Sequence, residues 1–339
     1  MSSGAGEVVG PGRVVVVGSA NLDRVLLVPT LPSPGETIRA TGTLELPGGK
    51  GLNQAVTVAR QGAAVDMVAA LGDDAAGTLL ASTLAAAGVG TGRVLRVPGP
   101  SGSAVVTVAG SGENTVVVLP GANAGLDADA IAGAAALFRR ADVVLAQLEV
   151  PLDAVGLALR LGREAGARTI LNPAPAPAPA PGPATSLLPE LLGLADVVVP
   201  NETEATALTG LAEPGAAARA LLGAGAGRVV VTLGDAGALV AEMSGEGPAG
   251  GSSGHRAGGI REWRMAAYPV DAVDTTAAGD AFCGALAAGL ASGLTFSDAL
   301  RRATAAGALA STVRGALPSL PTATAVDAFL EARVGDAGS

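Results

Sequence analysis

The sequence predicts an α/β fold with a central, mostly parallel sheet, helices on both of its faces, and a small β-sheet beside it. Three observations carry this expectation. Apolar, Val-rich runs of strand length at 13–17, 67–71, 142–146, 169–171, 196–199 and 228–233 alternate with Ala- and Leu-rich stretches of helical character. Several of these runs end in polar residues: Asn21 and Asp23, Gln147 and Glu149, Asn172, Asn201 to Glu204, and Thr232 with Asp235. Parallel strands thus deliver polar groups to one edge, where open α/β sheets collect ligands. Finally, short β-rich runs between 24 and 47 are cut by Pro29, Pro32 and Pro34, and runs at 104–109 and 115–119 are joined by Gly110-Ser111-Gly112-Glu113 as a hairpin. These pieces suit a separate small sheet.

Composition narrows the function. With 339 residues, 49% of them hydrophobic, and 50 glycines, the chain can bury a large core with close helix–sheet packing. Only 2% of residues are aromatic and the net charge is −9, which excludes a stacking platform or a basic face for nucleic acid. The single cysteine, Cys283, excludes an intramolecular disulfide framework and a multi-thiolate zinc site, and is expected to pack as a small apolar residue. The single histidine, His255, lies among Gly, Ser and Arg, which argues against a Ser-His-Asp triad or a His-rich metal site. Residues 1–13 carry no basic cluster followed by an apolar core, and no apolar stretch reaches the ~20 residues of a membrane span. Small-molecule partners and a cytoplasmic location are therefore expected.

Taken in order, the chain opens with a Gly/Ser tail over 1–12, expected to be disordered, and the first strand exits at Gly18-Ser19-Ala20-Asn21-Leu22-Asp23. Asn21 and Asp23 would either meet a ligand or form an Asx turn. Next comes Pro47-Gly48-Gly49-Lys50-Gly51-Leu52-Asn53-Gln54-Ala55, read as a glycine turn leading into a helix from 56. It is not a phosphate-binding P-loop, because Gly51 rather than Ser or Thr follows the lysine. Its glycines permit close backbone approach to a polyol, with Lys50 and Asn53 as polar partners, though a plain helix-capping turn fits as well. Nor does a dinucleotide G-x-G-x-x-G follow the first strand, since Ser19 and Ala20 come after Gly18. A helix is expected over 75–87. The Ala-Pro repeat at 173–183 is expected as an exposed polyproline-like loop, and 244–259 as a Gly/Ser loop without a role in the site.

The chemistry concentrates at Val273-Asp274-Thr275-Thr276-Ala277-Ala278-Gly279-Asp280-Ala281-Phe282-Cys283-Gly284. Small residues open a helix in which Phe282, Leu286 and Leu290 recur at four-residue spacing. The unpaired amides of 277–279 could hold an anion, and Asp280 in the first turn could deprotonate a hydroxyl, a combination suited to phosphoryl transfer. Asp280 alone could equally be a helix N-terminal acid.

Together with Gly121-Ala122-Asn123-Ala124, Gln147-Leu148-Glu149, Leu171-Asn172-Pro173-Ala174-Pro175 and Gly315-Ala316-Leu317-Pro318-Ser319, these motifs resemble the ribokinase-like carbohydrate kinase family over about 13–330. The resemblance implies one kinase domain at 13–334 between short tails (1–12 and 335–339), with a lid from about 20–47 and 98–120 that also forms a homodimer contact. It implies transfer from ATP to a sugar, first D-ribose at its 5-hydroxyl, with another sugar or a nucleoside, or a non-catalytic binding role, as alternatives. By the same resemblance Asp280 is the base, and Asn21, Asp23, Gly49, Lys50, Gly51, Asn53 and Glu149 hold the sugar. Asn201, Thr232, Gly234, Asp235, Gly237, Ala278, Gly279 and Thr304 fall at nucleotide positions, and Glu204 at one that influences Mg2+ and phosphate. Asp274, Thr276, Ala310, Val313, Gly315 and Ser319 match positions around an activating K+ ion. Two positions depart from the pattern: Thr304 stands where some members carry histidine near adenine, and Cys283 where some carry asparagine.

Overall fold

The computed structural model describes residues 11–111, 113–177, 183–244 and 259–336. Among these residues the strands are β1 (Arg13–Val17), β2 (Asn21–Val28), β3 (Gly42–Gly48), β4 (Ala64–Gly72), β5 (Gly90–Val97), β6 (Ser103–Ala109), β7 (Asn114–Leu119), β8 (Val143–Gln147), β9 (Arg168–Asn172), β10 (Val197–Val198), β11 (Arg228–Thr232), β12 (Ala238–Met243) and β13 (Ile260–Met265). The helices are α1 (Lys50–Arg60), α2 (Ala75–Ala86), α3 (Ala128–Gly133), α4 (Ala135–Phe138), α5 (Leu152–Glu164), α6 (Pro183–Leu194), α7 (Glu202–Thr209), α8 (Pro214–Gly223), α9 (Ala278–Ala291), α10 (Phe296–Ala310), α11 (Ala316–Ser319) and α12 (Ala323–Asp336).

Nine strands form the large sheet in the order β13-β12-β11-β10-β9-β8-β1-β4-β5. From β5 to β11 every pairing is parallel, and only β12 and β13 run antiparallel. A central strand covered on both faces must be apolar throughout, and β1 shows the consequence. Its Val14 and Val16 pack into one core with α1, α9 and α10, while Val15 and Val17 pack into the opposite core with α5 and α8. The second sheet, β3-β2-β6-β7, has the expected hairpin between β6 and β7. It joins β2 to β6 in parallel, so the two halves of the small sheet come from distant segments.

Several elements differ from expectation for local physical reasons. The sequence reading of 47–55 as a turn is corrected: α1 already begins at Lys50, after Gly49 turns the backbone at φ 90°. Residues 51–58 of this helix are all buried, so no polar face marks its start. Strands β5, β12 and β13 go beyond the sequence expectation: Gly90-Thr91-Gly92 opens the first, and the charged residues of Ile260–Met265 mark the last as a sheet edge. The Ala-Pro stretch is not exposed at its start: Pro173 and Ala174 are buried, and the Leu148 amide donates to the Ala174 carbonyl at 3.0 Å. Pro183 opens α6, where a missing first-turn N–H costs nothing. The remaining Ala-Pro residues 178–182, most of the 244–259 loop with His255, and the outermost residues of both tails lie outside the described residues. No helix of the described residues is long and apolar enough to cross a membrane.

The contact that positions the site is between α1 and α9. Gly284, one turn beyond Asp280, lets α9 approach so closely that an added Cβ would lie 2.5 Å from Thr57 Cβ and 2.8 Å from the Gln54 carbonyl. Glycine here serves close approach, since any side chain would push the two helices apart.

Candidate active site

Because the pairings from β11 to β4 are parallel, β1, β8, β9, β10 and β11 end at one edge of the sheet, and the chain leaving each of them carries the polar residues. After β1 the backbone turns directly into β2, and α1 starts above this corner. Its first amides are satisfied from outside the helix: Lys50 N–H donates to Glu149 Oε2 at 3.1 Å, and Gly51 N–H to Ser19 Oγ at 3.4 Å. The Ser19 hydroxyl in turn donates to Glu149 Oε2. A carboxylate from the end of β8 thus sits at a helix N-terminus, where partial positive charge favours it.

Asp23 lies over Gly48, whose missing Cβ leaves room for its Oδ2, and its Oδ1 is buried without a hydrogen-bond partner among the described residues. Burial first, and the neighbouring Glu149 second, push the Asp23 carboxyl up to about 6. Asn21 is buried and held by Asn123, whose Nδ2 donates to Asn21 Oδ1 at 2.7 Å while its Oδ1 accepts the Ala20 amide at 3.0 Å. Asn123, met in the sequence only inside a short motif, is therefore what orients Asn21.

Asp280 is 7% exposed, and both of its oxygens accept amide protons: Oδ2 from Asn53 Nδ2 at 3.0 Å and Oδ1 from Gln54 Nε2 at 2.9 Å. Burial raises its carboxyl above the ordinary range, against the opposing pull of Lys50 and of the two amides. For Lys50 burial acts in the lowering direction, but Asp280, Glu149 and Glu204 together hold its ammonium above the usual value. Cys283 is buried beside this cluster, and burial first and Asp280 second push its thiol well up, which makes it inert. Asn53 Oδ1 is buried without a partner among the described residues.

Just before Asp280, Ala277 has φ 61°, the one non-glycine residue in the left-handed region among the described residues. Such strain persists where the surroundings enforce it, and here it sets the direction of the α9 N-terminal amides. Of the three amides expected as an anion hole, that of Ala278 already donates to the Thr275 carbonyl at 3.2 Å. The amides of Ala277, Gly279 and Asp280 have no acceptor among the described residues and are free for an anion.

On the other side of this turn lies a cavity of about 460 Å3 lined by Thr232, Gly234, Asp235, Gly237, Ala278, Gly279 and Thr304 from the sequence reading. It is completed by residues that reading missed, including Tyr268, Pro269, Val270, Phe282, Gly307 and Ala308. A signal existed for some of these, since Gly307 and Ala308 follow Thr304 one helical turn later on the same face. Asn201 does not line the cavity: its Oδ1 accepts Glu204 N–H at 2.7 Å and its N–H donates to Glu204 Oε2 at 2.9 Å, a capping box for α7. Burial raises the Glu204 carboxyl, and Lys50 lies close enough to oppose that rise.

The loops around Asp274 and Gly315 are brought together. Asp274 accepts the Thr276 amide at 2.9 Å and the Gly315 amide at 2.8 Å, while the Ser311 carbonyl accepts the Val273 and Asp274 amides at 2.8 and 3.1 Å. These donors hold the Asp274 carboxyl below its ordinary range although its burial acts the other way. Ala310 is buried and Val313 exposed, and the Ser319 hydroxyl donates to the Ala316 carbonyl at 2.7 Å. Among the described residues no group of three or more His, Cys, Asp or Glu is placed to hold a metal.

Residues 12–323 match the model of the pfkB family of carbohydrate kinases. A ribokinase of Haemophilus influenzae is 36% identical over 324 residues, covering 94% of this chain and 98% of the relative. The crystal structure of a ribokinase from Thermotoga maritima superposes with a TM-score of 0.80 at 33% identity, covering 94% of this chain and 99% of the other. An Arabidopsis thaliana ribokinase complexed with ribose and ATP does so with a TM-score of 0.80 at 32% identity, over 95% and 99% of the two chains.

Asp23 makes stability depend on pH. Between the unfolded value of 3.8 and the folded value of about 6 the folded chain keeps a proton that the unfolded chain releases, so stability falls as pH rises through this window. Asp23→Asn should therefore raise the unfolding free energy by about 1–2 kcal/mol at pH 8, after allowance for solvent screening, and by almost nothing near pH 4. Denaturant titrations of both proteins at the two pH values check this, and a gain that is equal at both would contradict it.

Proposed function

The chain belongs to the pfkB family of carbohydrate kinases and transfers a phosphoryl group from ATP to a carbohydrate, and we propose that it is D-ribose, at the 5-hydroxyl, that accepts the group, giving D-ribose 5-phosphate and ADP. The observation that carries this reading is the placement of Asp280. The residue is buried between the Asp23–Asn53–Lys50 corner and the cavity at the far side of the α9 turn, with the free amides of that turn beside it. In this reading residues 13–334 act as one catalytic unit.

The sugar lies against Asn21, Asp23, Gly49, Lys50, Gly51, Asn53 and Glu149, where the unpartnered Asp23 Oδ1 and Asn53 Oδ1 each call for a hydroxyl donor. Asp280 takes the proton from the 5-hydroxyl as the oxygen attacks the γ-phosphorus, and its raised proton affinity suits a base that must accept and then release a proton. The amides of Ala277, Gly279 and Asp280 meet the charge on the transferred group, and Lys50 supplies a fixed positive charge nearby. The nucleotide occupies the cavity from Thr232 and Gly237 to Thr304, and Asn201, spent on the α7 cap, stands outside it. A kinase of this kind uses Mg2+ on the phosphates. With no carboxylate cage among the described residues, the ion would be held by phosphate and water, with Glu204 acting at a distance. Dependence on ATP supports a cytoplasmic setting.

Asp280→Asn should fold and bind sugar while turnover falls by ~10² or more, the lower range for loss of a general base. ADP release with ATP against a panel of D-ribose, 2-deoxyribose, other pentoses and nucleosides checks the acceptor. A higher kcat/KM for a member of that panel other than D-ribose would overturn the assignment of the sugar.

Asp274, Thr276, Ala310, Val313, Gly315 and Ser319 are proposed to surround a K+ ion. The fit rests on Asp274, whose two oxygens already tie both loops and keep lone pairs, and on backbone carbonyls, which need no particular side chain. Bound there, the ion would add positive charge against Asp274 and stiffen the turn that carries the anion-binding amides. Rate should rise with K+ and little with Na+, and Asp274→Ala should lose that response. Full activity without K+, NH4+ or Cs+ would remove the ion from the account.

The small sheet is proposed as a lid over the sugar and as the contact of a homodimer. Its side chains support this: Leu44, Val116, Val117, Val118 and Leu119 are all exposed, and because successive strand residues alternate, both faces of edge strand β7 carry uncovered apolar side chains. Sedimentation velocity should give twice the chain mass, and Val117→Lys should shift it toward the monomer. A monomeric parent protein at working concentration would rule the contact out.

A further inference from the structure

The amide of Gln54 is fixed from three sides inside the protein. One of its N–H groups donates to Asp280 Oδ1 at 2.9 Å and the other to Asn172 Oδ1 at 3.0 Å, while its Oε1 accepts from Gln147 Nε2 at 2.6 Å. Asn172 is fixed in turn, because its Nδ2 donates to the Val199 carbonyl at 2.8 Å. Gln54 and Gln147 are 0% exposed and Asn172 8%. Rotating the Gln54 amide by half a turn would set its oxygen against two acceptor oxygens and its N–H groups against the Gln147 donor, so one orientation alone satisfies all three partners. Gln147 reaches Gln54 only because residue 18 is glycine: a Cβ there would lie 1.9 Å from Gln147 Oε1.

We propose that Gln54 is a positioning residue for Asp280, holding the carboxylate from the side away from the sugar through a buried amide chain anchored at the ends of β8, β9 and β10. The proposal rests on Asp280 being the base. Asn53 touches the same carboxylate but also faces the sugar, whereas Gln54 has every polar atom turned inward and can act only through Asp280. With Oδ1 pinned, rotation of the carboxylate would break a charge-assisted hydrogen bond, so the attacking hydroxyl meets an oxygen in one direction rather than in several. A purely structural network would serve stability alone, and the two roles differ in what they do to rate and to pH.

The groups that face Asp280 and set its titration are Lys50 on α1, Glu149 after β8, Glu204 on α7 and Cys283 on α9, together with the amides of Asn53 and Gln54. Gln54→Met keeps the length and removes the donor. We expect kcat to fall about ten-fold, the loss of one hydrogen bond to a charged group, with little change in either Michaelis constant. The acid limb of kcat/KM should move to higher pH by about one pH unit, because the carboxylate has lost a donor that favoured its charged form. Gln147→Met, which frees the Gln54 oxygen and leaves its donors in place, should move both quantities the same way by less. If Gln54→Met does not fold, Gln147→Met decides, and an unmoved limb with unchanged kcat overturns the proposal. An inactive Asp280→Asn beside a Gln54→Met with wild-type kcat and limb would overturn the role of Gln54 alone. An active Asp280→Asn would instead overturn the base on which it rests.

Discussion

One buried carboxylate makes the rest of the site intelligible. Asp280 stands in the first turn of α9, where helix amides favour negative charge, but it is also shut away from water, which disfavours that charge. The conflict is settled by what α1 brings to it. Lys50, Asn53 and Gln54 occupy the first turn and a half of that helix, and all three reach the same carboxylate as a charge or an amide donor. They can do so because Gly284 and Thr57 let the two helices touch nearly backbone to backbone. A methyl group at Gly284 would separate the charge from its partners.

The cost of that arrangement is spread over several elements. Lys50 sits at the positive end of a helix, a poor place for a cation, and is held there by Asp280, Glu149 and Glu204. Glu149 also accepts the Lys50 amide and the Ser19 hydroxyl, so one carboxylate serves the helix terminus, the strand corner and the lysine charge. Removing Lys50 would leave Asp280 buried without its counter-charge and take the shared partner from Glu149 and Glu204.

The small sheet is tied to this centre through its inner end. Asn21 begins β2 and bridges to Gly102, and Asn123 clamps it from beyond β7. The turn at Ser101 is fastened by Asp74, which accepts both its amide and its hydroxyl while also capping α2. Hydrogen bonds therefore anchor the inner end of the sheet, whereas Leu44 and 116–119 remain open to solvent.

The sequence by itself determined the alternation of strand and helix, the polar strand ends, the split small sheet and a set of candidate site residues. Those features are written in local periodicity and in glycine-rich motifs, which are contiguous along the chain. It did not reveal the early start of α1, because complete burial of 51–58 erases the amphipathic pattern that marks a helix. Charged or glycine-opened edge strands such as β5 and β13 were invisible for the related reason that an edge needs no apolar run. Asn201 was legible as a polar strand end, but only the fold shows its side chain spent on capping α7. Gln54, Gln147 and Asn172 were each in plain view, yet they lie 93 and 25 residues apart in sequence, and nothing local says that their amides meet. Which hydrogen bonds a buried amide makes depends on which strands are neighbours. That was decided by the parallel order β10-β9-β8-β1, because it alone places these three side chains on one side of Asp280.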